Sequence, residues 1–262
     1  METITSKDNA GIKEYCKLTT AKKQRDAAGK FAAEGIKLTL EAFQNGVRIE
    51  KVFFTAGAEK KYGEKLFELL NSGIPASRIT EEISLRMSDT DSPQGVYAVC
   101  KKLDKSFGTD KIEHNSVYAA LADLQDPGNM GTVIRTAEAL GVRGIIASEG
   151  CCDFYNPKVL RATMGSAFRM PFAVVPDLGA VLRELSGRGI PSYAAVLDDA
   201  AESLTEVNFT GGGVAVIGNE GNGLCREIAD ARDRRITIRM KGNAESLNAA
   251  MAAGIIFWQM TR

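Results

Sequence analysis

The sequence predicts an α/β protein of two tandem domains, a smaller one over residues 1–103 and a larger one over 116–262, joined by a polar linker at 104–115. Three observations predict it. Apolar runs of strand length alternate with helical segments along the chain, the rhythm of strands and crossover helices in a largely parallel sheet. The rhythm breaks once, at 104–115, where charged residues surround Gly108-Thr109. The length of 262 residues exceeds the roughly 100–200 of a typical domain.

In the first domain residues 12–18 read as a helix, 30–33 as a short strand, and 37–45 as a helix stopped by Gly46. Residues 47–55 follow as a strand and 59–71 as a helix ending before Gly73. Thr80 with Glu81 and Glu82 reads as an N-cap with acids in the first turn of a short helix, and 95–99 as a closing strand. In the second domain the near-continuous apolar runs at 117–124, 144–147, 171–175, 190–195, 214–217 and 236–238 read as strands buried on both faces. Helices are expected between them at 132–140, 178–185, 224–229 and 247–259. The last is apolar on nearly every face and is expected to be buried all round.

Composition excludes several classes. With 33 basic and 33 acidic side chains, 44% hydrophobic and 25% charged residues, the chain is neither a charged disordered segment nor poor in core residues. Its polar N-terminus lacks the apolar stretch of a signal peptide, and its longest uncharged apolar run, 249–258, falls short of the about 20 residues that cross a bilayer. Five cysteines without a C-x-x-C pair argue against a disulfide framework or a zinc site and for a reducing, cytoplasmic compartment. The one histidine, His114, falls in the linker, so chemistry that needs a catalytic imidazole or a multi-histidine metal site is not expected.

Three loops could carry chemistry, each between a strand and a helix and so at the carboxyl edge of a parallel sheet, where ligands bind. The first is Asp126-Pro127-Gly128-Asn129-Met130-Gly131, leading to Arg135. Its glycines allow close approach of backbone to a ligand, although a tight turn with a solvated arginine would look the same. The second, Gly218-Asn219-Glu220-Gly221-Asn222-Gly223, has its glycines in the order G-x-x-G-x-G. A dinucleotide fingerprint runs G-x-G-x-x-G with an acid about 20 residues on, so a nucleotide-dependent oxidoreductase is disfavoured. Glu220 could cap the following helix or bind a ligand amine or partner arginine. The third, 241–248, brings Ser246 and Asn248, both good capping residues, to the last helix.

Taken in order, these loops resemble the three motifs of the SpoU/TrmH family of RNA ribose 2′-O-methyltransferases, within the SPOUT superfamily. The first motif resembles Asn129 through Arg135 and on to Gly141, the second Ile217-Gly218-Asn219-Glu220-Gly221, and the third residues 238–248 with Ser246-Leu247-Asn248 at its core. Residues 1–100 also resemble the family's N-terminal RNA-binding domain, a small α/β unit similar to certain ribosomal proteins. The matching stretches are Lys17-Leu18, Lys22-Lys23, Arg25, Phe31, Glu34-Gly35 and Ser92-Pro93-Gln94-Gly95.

The resemblance implies a C-terminal SPOUT-type α/β knot, in which the chain threads a loop to form a trefoil, against the usual avoidance of knots. It implies S-adenosylmethionine as cofactor, bound bent among the last two motifs, with Gly218, Ile238 and Leu247 at the carried-over positions. Arg135 would stand at the ribose hydroxyl and phosphate, as proton acceptor or as stabiliser of alkoxide character, while Asn129, Glu220, Ser246 and Asn248 organise the site. No metal is required. The implied substrate is RNA, with large-subunit ribosomal RNA the first reading; a transfer RNA enzyme and a non-catalytic RNA-binding protein of the same fold are the alternatives. The family pattern also implies a homodimer through the C-terminal helix.

An RNA partner needs local positive charge in this neutral chain. Lys17, Lys22, Lys23, Arg25 and Lys30 face only Asp26 between residues 17 and 30, and Lys158, Arg161 and Arg169 face no acid between 158 and 169. Lys22, Lys23, Arg25, Arg161 and Arg169 are therefore the candidate RNA contacts. A further cluster, Arg232, Arg234, Arg235, Arg239 and Lys241, is opposed in sequence only by Asp233.

Overall fold

The computed structural model describes residues 3–103 and 107–262. The chain divides into two compact units, residues 1–104 with 153–168, and residues 105–152 with 169–262. The sequence partition differs in one stretch, because 153–168 packs in the first unit. The physical reason is aromatic: Phe31, fully buried, stacks on Tyr155 at 5.0 Å and on Phe168 at 6.1 Å between ring centroids.

The first unit contains β1 (Thr3–Ile4), α1 (Ala10–Thr20), α2 (Lys22–Ala28), β2 (Lys30–Glu34), α3 (Ile36–Gln44), β3 (Ile49–Thr55), α4 (Ala56–Asn71), β4 (Ala76–Ile79), α5 (Glu81–Met87) and β5 (Val96–Lys101). Its five strands run in the order β1-β4-β3-β5-β2, with β5 antiparallel to both neighbours. Ile12, Tyr15, Leu18, Phe53, Ile79 and Tyr97 form the core on one face. Thr80 caps α5 as expected, its hydroxyl accepting from the Ile83 amide at 3.3 Å. Helix α2 was not legible in the sequence, because Lys22–Ala28 carries no apolar stripe; its single buried side chain is Arg25.

The second unit begins with β6 (Val117–Leu121), α6 (Pro127–Ala139) and β7 (Ile145–Ser148). After α7 (Pro157–Thr163), which packs in the first unit, follow β8 (Phe172–Val175), α8 (Leu178–Gly187), β9 (Ser192–Ala195), β10 (Glu202–Ser203), β11 (Gly213–Ile217), α9 (Arg226–Ala231), β12 (Arg234–Thr237) and α10 (Ala249–Thr261). The sheet is parallel throughout in the order β10-β12-β9-β11-β6-β7-β8. Every residue of the central strands β6 and β11 is buried, as the continuous apolar runs require. At the sheet edge β8 departs from that expectation, with Val174 51% exposed, because an edge strand lacks a neighbour on one side.

Helix α10 corrects the expectation of burial all round. It buries Ala250, Ala253, Ile256, Phe257 and Met260 against α6, β6 and β11, but Met251, Ile255 and Trp258 are 61, 39 and 60% exposed. These three recur at helical spacing and form one apolar stripe. The expected linker is also partly structured. Ile112 is buried, Phe107 stacks on Tyr118, and the Arg188 guanidinium donates to the carbonyls of Thr109 and Ile112 at 2.8 and 2.7 Å. Residues 104–106 of that stretch lie outside the described residues, and His114 is exposed. Among the described residues no helix is long and apolar enough to cross a membrane.

Candidate active site

Because β6, β11 and β12 are parallel members of one sheet, the segments that follow them leave at the same edge. The first motif is tighter than the sequence suggests. Pro127 occupies the first turn of α6, where its missing N–H costs nothing, so Asn129 is already helical. Asp126 caps the helix, its carboxylate accepting from the Asn129 amide at 2.7 Å.

The second motif folds back on itself. The Asn219 and Gly223 backbones exchange hydrogen bonds of 2.9 and 3.0 Å, and the Asn219 side-chain oxygen accepts from the amides of Gly221 and Asn222. Gly218 is required for this fold, since a Cβ there would lie 2.6 Å from the Gly223 carbonyl carbon and 2.9 Å from the Leu224 nitrogen. The close approach is to its own loop, which in turn sets the wall that a ligand meets.

One hydrogen-bonded chain joins all three motifs. The Glu220 carboxylate accepts from the amides of Gln125 at 3.3 Å and Asp126 at 3.1 Å, and from Asn129 Nδ2 at 3.1 Å. Asn248 Nδ2 donates to Asn129 Oδ1 at 2.9 Å, while Asn248 Oδ1 caps α10 by accepting from the amides of Ala250 and Met251. Both sequence readings of Glu220 and Asn248, capping and site organisation, therefore have a counterpart: Asn248 caps its helix, whereas Glu220 binds the preceding motif. Partial burial raises the pKa of Glu220, but the bonds from Asn129 and from the amides of Glu220, Asp126 and Gln125 together outweigh it and hold the carboxyl below its ordinary value.

Beside this chain lies a cavity of about 570 Å3 whose wall includes Gly218, Glu220, Ile238, Ser246 and Leu247. Its remaining surface is largely apolar, with Leu197, Leu204, Ile217 and Ile256. All three expected cofactor positions thus meet in one cavity, with two of the five expected catalytic positions, Glu220 and Ser246, on its wall, Asn129 hydrogen-bonded to Glu220, and Asn248 to Asn129. Arg135 is not among the lining residues. It is exposed on α6 and makes no hydrogen bond or ion pair with the described residues.

The cavity suits S-adenosylmethionine in size and in chemistry. Binding sites for small molecules are mostly apolar and span roughly 300–1,000 Å3. Ile238 and Leu247 offer flat apolar contact for a purine, and the carboxylates of Glu220 and Glu245 on the same wall suit a cationic ligand.

The expected RNA contacts separate. Lys22 and Lys23 are exposed and make no ion pair among the described residues. Arg25 is corrected: it is 3% exposed, its guanidinium pairs with Asp153 at 2.7 Å and donates to the Leu18 carbonyl at 2.8 Å, so it locks the fold and presents no charge to RNA. Arg161 bridges Glu34 at 3.4 Å and Asp89 at 2.7 Å, and Arg169 donates to Glu138 at 2.8 Å. In the cluster at 232–241, Arg234 pairs with Glu202, Arg235 with Asp198 and Arg239 with Asp199, whereas Arg232 and Lys241 form no ion pair among the described residues. Acids distant in sequence neutralise six of these cations, Arg25, Arg161, Arg169, Arg234, Arg235 and Arg239.

Sequence reasoning missed Asn219 and Asp123. Asn219 Nδ2 donates to the Asp123 carbonyl at 2.8 Å, tying the second motif to the end of β6. Asp123 sits at φ +53, and its carboxylate accepts from the Ser148 hydroxyl at 2.7 Å. The preference of asparagine for turning the backbone over its own side chain was the available signal at 219; Asp123 carries no comparable pattern.

Comparison with known proteins agrees with this geometry. Residues 116–258 match the model of the SpoU rRNA methylase family, and 9–98 match an MRM3-like substrate binding domain. The chain is 30% identical over 261 residues to the 23S rRNA (guanosine(2553)-2′-O)-methyltransferase RlmP of Bacillus subtilis, covering 99% of each. Two solved structures align over nearly the whole chain. The AdoMet-bound rRNA methyltransferase from Sinorhizobium meliloti gives a TM-score of 0.85 at 29% identity, covering 99% of this chain and 97% of that one. The SpoU methyltransferase AviRb from Streptomyces viridochromogenes, in complex with AdoMet, gives 0.83 at 26% identity, covering 97% of this chain and 98% of that one. A parallel α/β sheet with three motif loops at one edge, matched over 116–258, places this chain in the SpoU rRNA methylase family.

Proposed function

We propose that the chain transfers the methyl group of S-adenosylmethionine to the 2′-oxygen of a ribose in large-subunit ribosomal RNA, acting in the cytoplasm. The observation that carries this reading is the convergence of Gly218, Ile238 and Leu247 on one apolar cavity bound to the Glu220–Asn129–Asn248 chain. The near-complete match to an enzyme named for this reaction on 23S rRNA supports the substrate class.

When bound, S-adenosylmethionine supplies an electrophilic methyl on a sulfonium. Gly218, Ile238 and Leu247 would hold the cofactor against the apolar part of the cavity wall. Glu220, Asn129 and Asn248 tie the three loops together and so would keep the cofactor wall and the ribose-binding edge in a fixed relation, with Ser246 on that wall. Arg135, on the same helix as Asn129, would supply a cation to the alkoxide character that develops on the ribose oxygen. A guanidinium stays protonated in proteins, which favours this role over proton removal, with phosphate or water taking the proton.

The first unit is assigned the RNA grip, through Lys22 and Lys23, a role supported by the match of residues 9–98. The stripe of Met251, Ile255 and Trp258 is assigned to a homodimer, because a contiguous exposed apolar face on a helix is a usual association surface. It lies on the helix that packs against α6, the carrier of Arg135, and this supports placing the interface near the active site. The C-terminal segment is assigned a trefoil knot. In support, β12 pairs between β10 and β9, yet the chain returns within eleven residues, 238–248, to place α10 against α6 and β11.

The test is Arg135→Ala, assayed for methyl incorporation into ribosomal RNA from cells lacking the protein. Turnover is expected to be lost with affinity for S-adenosylhomocysteine unchanged; near-normal turnover overturns the assignment. Mapping ribose methylation in cells with and without the protein should reveal one lost large-subunit site.

A further inference from the structure

A second cavity, of about 410 Å3, lies wholly within the first unit, walled by the start of α3, the loop before β5 and the end of α7. Its floor is a completed polar knot. The Glu34 carboxylate accepts from the Ser88 hydroxyl at 2.6 Å, the Thr90 hydroxyl at 2.9 Å, the Asp89 amide at 3.0 Å and Arg161 at 3.4 Å. Arg161 is held on its other side by Asp89, so neither charge of this pair is available to a ligand.

The groups left over are of another kind. Lys37, Asp91 and Ser92 line the cavity, are exposed, and make no hydrogen bond or ion pair with the described residues. Gln94 uses its oxygen to accept from the Ile36 amide at 3.1 Å, which leaves its NH2 unpaired. Gly35, at φ +97, keeps this wall close, since a Cβ there would stand 3.0 Å from that same oxygen. The apolar wall is Leu38 and Met164.

Met164 is the informative residue. It caps α7 in the left-handed region, φ +53, where glycine is the usual occupant, and the residue is 41% exposed. An exposed, flexible, apolar side chain kept at a backbone position that penalises any Cβ points to a use for the side chain itself.

We propose that this cavity receives one unstacked nucleotide of the RNA substrate, its base against Met164 and Leu38 and its phosphate at Lys37. The inference rests on the RNA reading above. A duplex presents a convex surface and cannot enter a pocket of this size, whereas sequence-specific recognition of RNA uses splayed bases from loops and bulges. A bare phosphate would want several free cations and finds one. A base edge carries donors and acceptors side by side, and the free Asp91 carboxylate, Ser92 hydroxyl and Gln94 amide match both.

The test uses the full chain with large-subunit ribosomal RNA from cells lacking the protein, in filter binding and methyl transfer. Met164→Gly removes the side chain while relieving the backbone, so it should fold at least as stably as the unsubstituted chain. Met164→Gly and Lys37→Glu are each expected to weaken RNA affinity about tenfold, the scale of one stacked base or one lost phosphate contact. The KM for RNA should rise correspondingly, with kcat and S-adenosylhomocysteine affinity unchanged. In the unsubstituted chain, a 4-thiouridine-substituted transcript should cross-link to the peptide containing Met164. RNA affinity within twofold of the unsubstituted chain in both variants overturns the pocket while leaving the reaction intact. Pocket-dependent RNA binding without any methyl transfer would support the pocket and refute the reaction.

Discussion

Replacing Glu220 by glutamine isolates the charge that binds the second motif to the first. One carboxylate oxygen accepts from the Asp126 amide and Asn129 Nδ2, both at 3.1 Å, and the other from the Gln125 amide at 3.3 Å. A glutamine retains the pair on its single oxygen and turns an NH2 toward the Gln125 N–H, so one bond is lost and two lose their charge assistance. A hydrogen bond to a charged group contributes about 1.5–3 kcal/mol, but Glu220 is exposed, which reduces each contribution to roughly 0.5–1 kcal/mol. The sum is about 1–2 kcal/mol, and with tenfold per 1.4 kcal/mol the Kd for S-adenosylhomocysteine should rise about five- to thirtyfold. The pH dependence gives the sign. The folded-state pKa of Glu220 lies below the ordinary 4.5. Its contribution is therefore complete above that value and lost as pH falls through the lowered one. Calorimetry should find the unsubstituted chain binding with constant affinity from neutral pH down to that window and weakening below it. Glu220→Gln should already be weak at neutral pH and show less acid loss. Equal affinities at neutral pH, or identical acid dependence in the two proteins, would refute the reasoning.

Gly218→Ala places a Cβ 2.6 Å from backbone of its own loop, so the exchange between Asn219 and Gly223 should break. Overpacking of this kind costs about 1–3 kcal/mol, and cofactor affinity by calorimetry should fall at least tenfold. Lys22→Glu with Lys23→Glu should weaken RNA binding and flatten its salt dependence while sparing the cofactor, and unchanged RNA affinity at moderate salt would remove the first unit as the grip. Trp258→Glu should convert a dimer to a monomer by light scattering; a monomeric unsubstituted chain would contradict the interface.

Much of the second unit was legible because its strands are written as continuous apolar runs. Residues 214–217 and the start of 117–124 became the two fully buried central strands, and their order along the chain already implied one ligand-binding edge. The positions Gly218, Ile238 and Leu247 could be carried over from motif resemblance, but nothing local says that they share a cavity. Arg25 shows the opposite limit. In sequence it belongs to a basic cluster, and only Asp153, 128 residues away, makes it a buried structural ion pair. Helix α2 and strand β4 went unseen for a related reason, since polar segments such as Lys22–Ala28 have no apolar periodicity to read.

By itself, the sequence determined the α/β class, the strand–loop–helix rhythm and the three motif loops, because these depend on local hydrophobic period and on turn residues. Tertiary structure alone decided which charges are free, which exposed apolar residues form a stripe, and that Glu220, Asn129 and Asn248 are one hydrogen-bonded chain. The reason is physical: a charge, a methionine or a carboxamide acquires its role from partners tens of residues distant, and pairing at that range is written in the packing of the sheet and its helices.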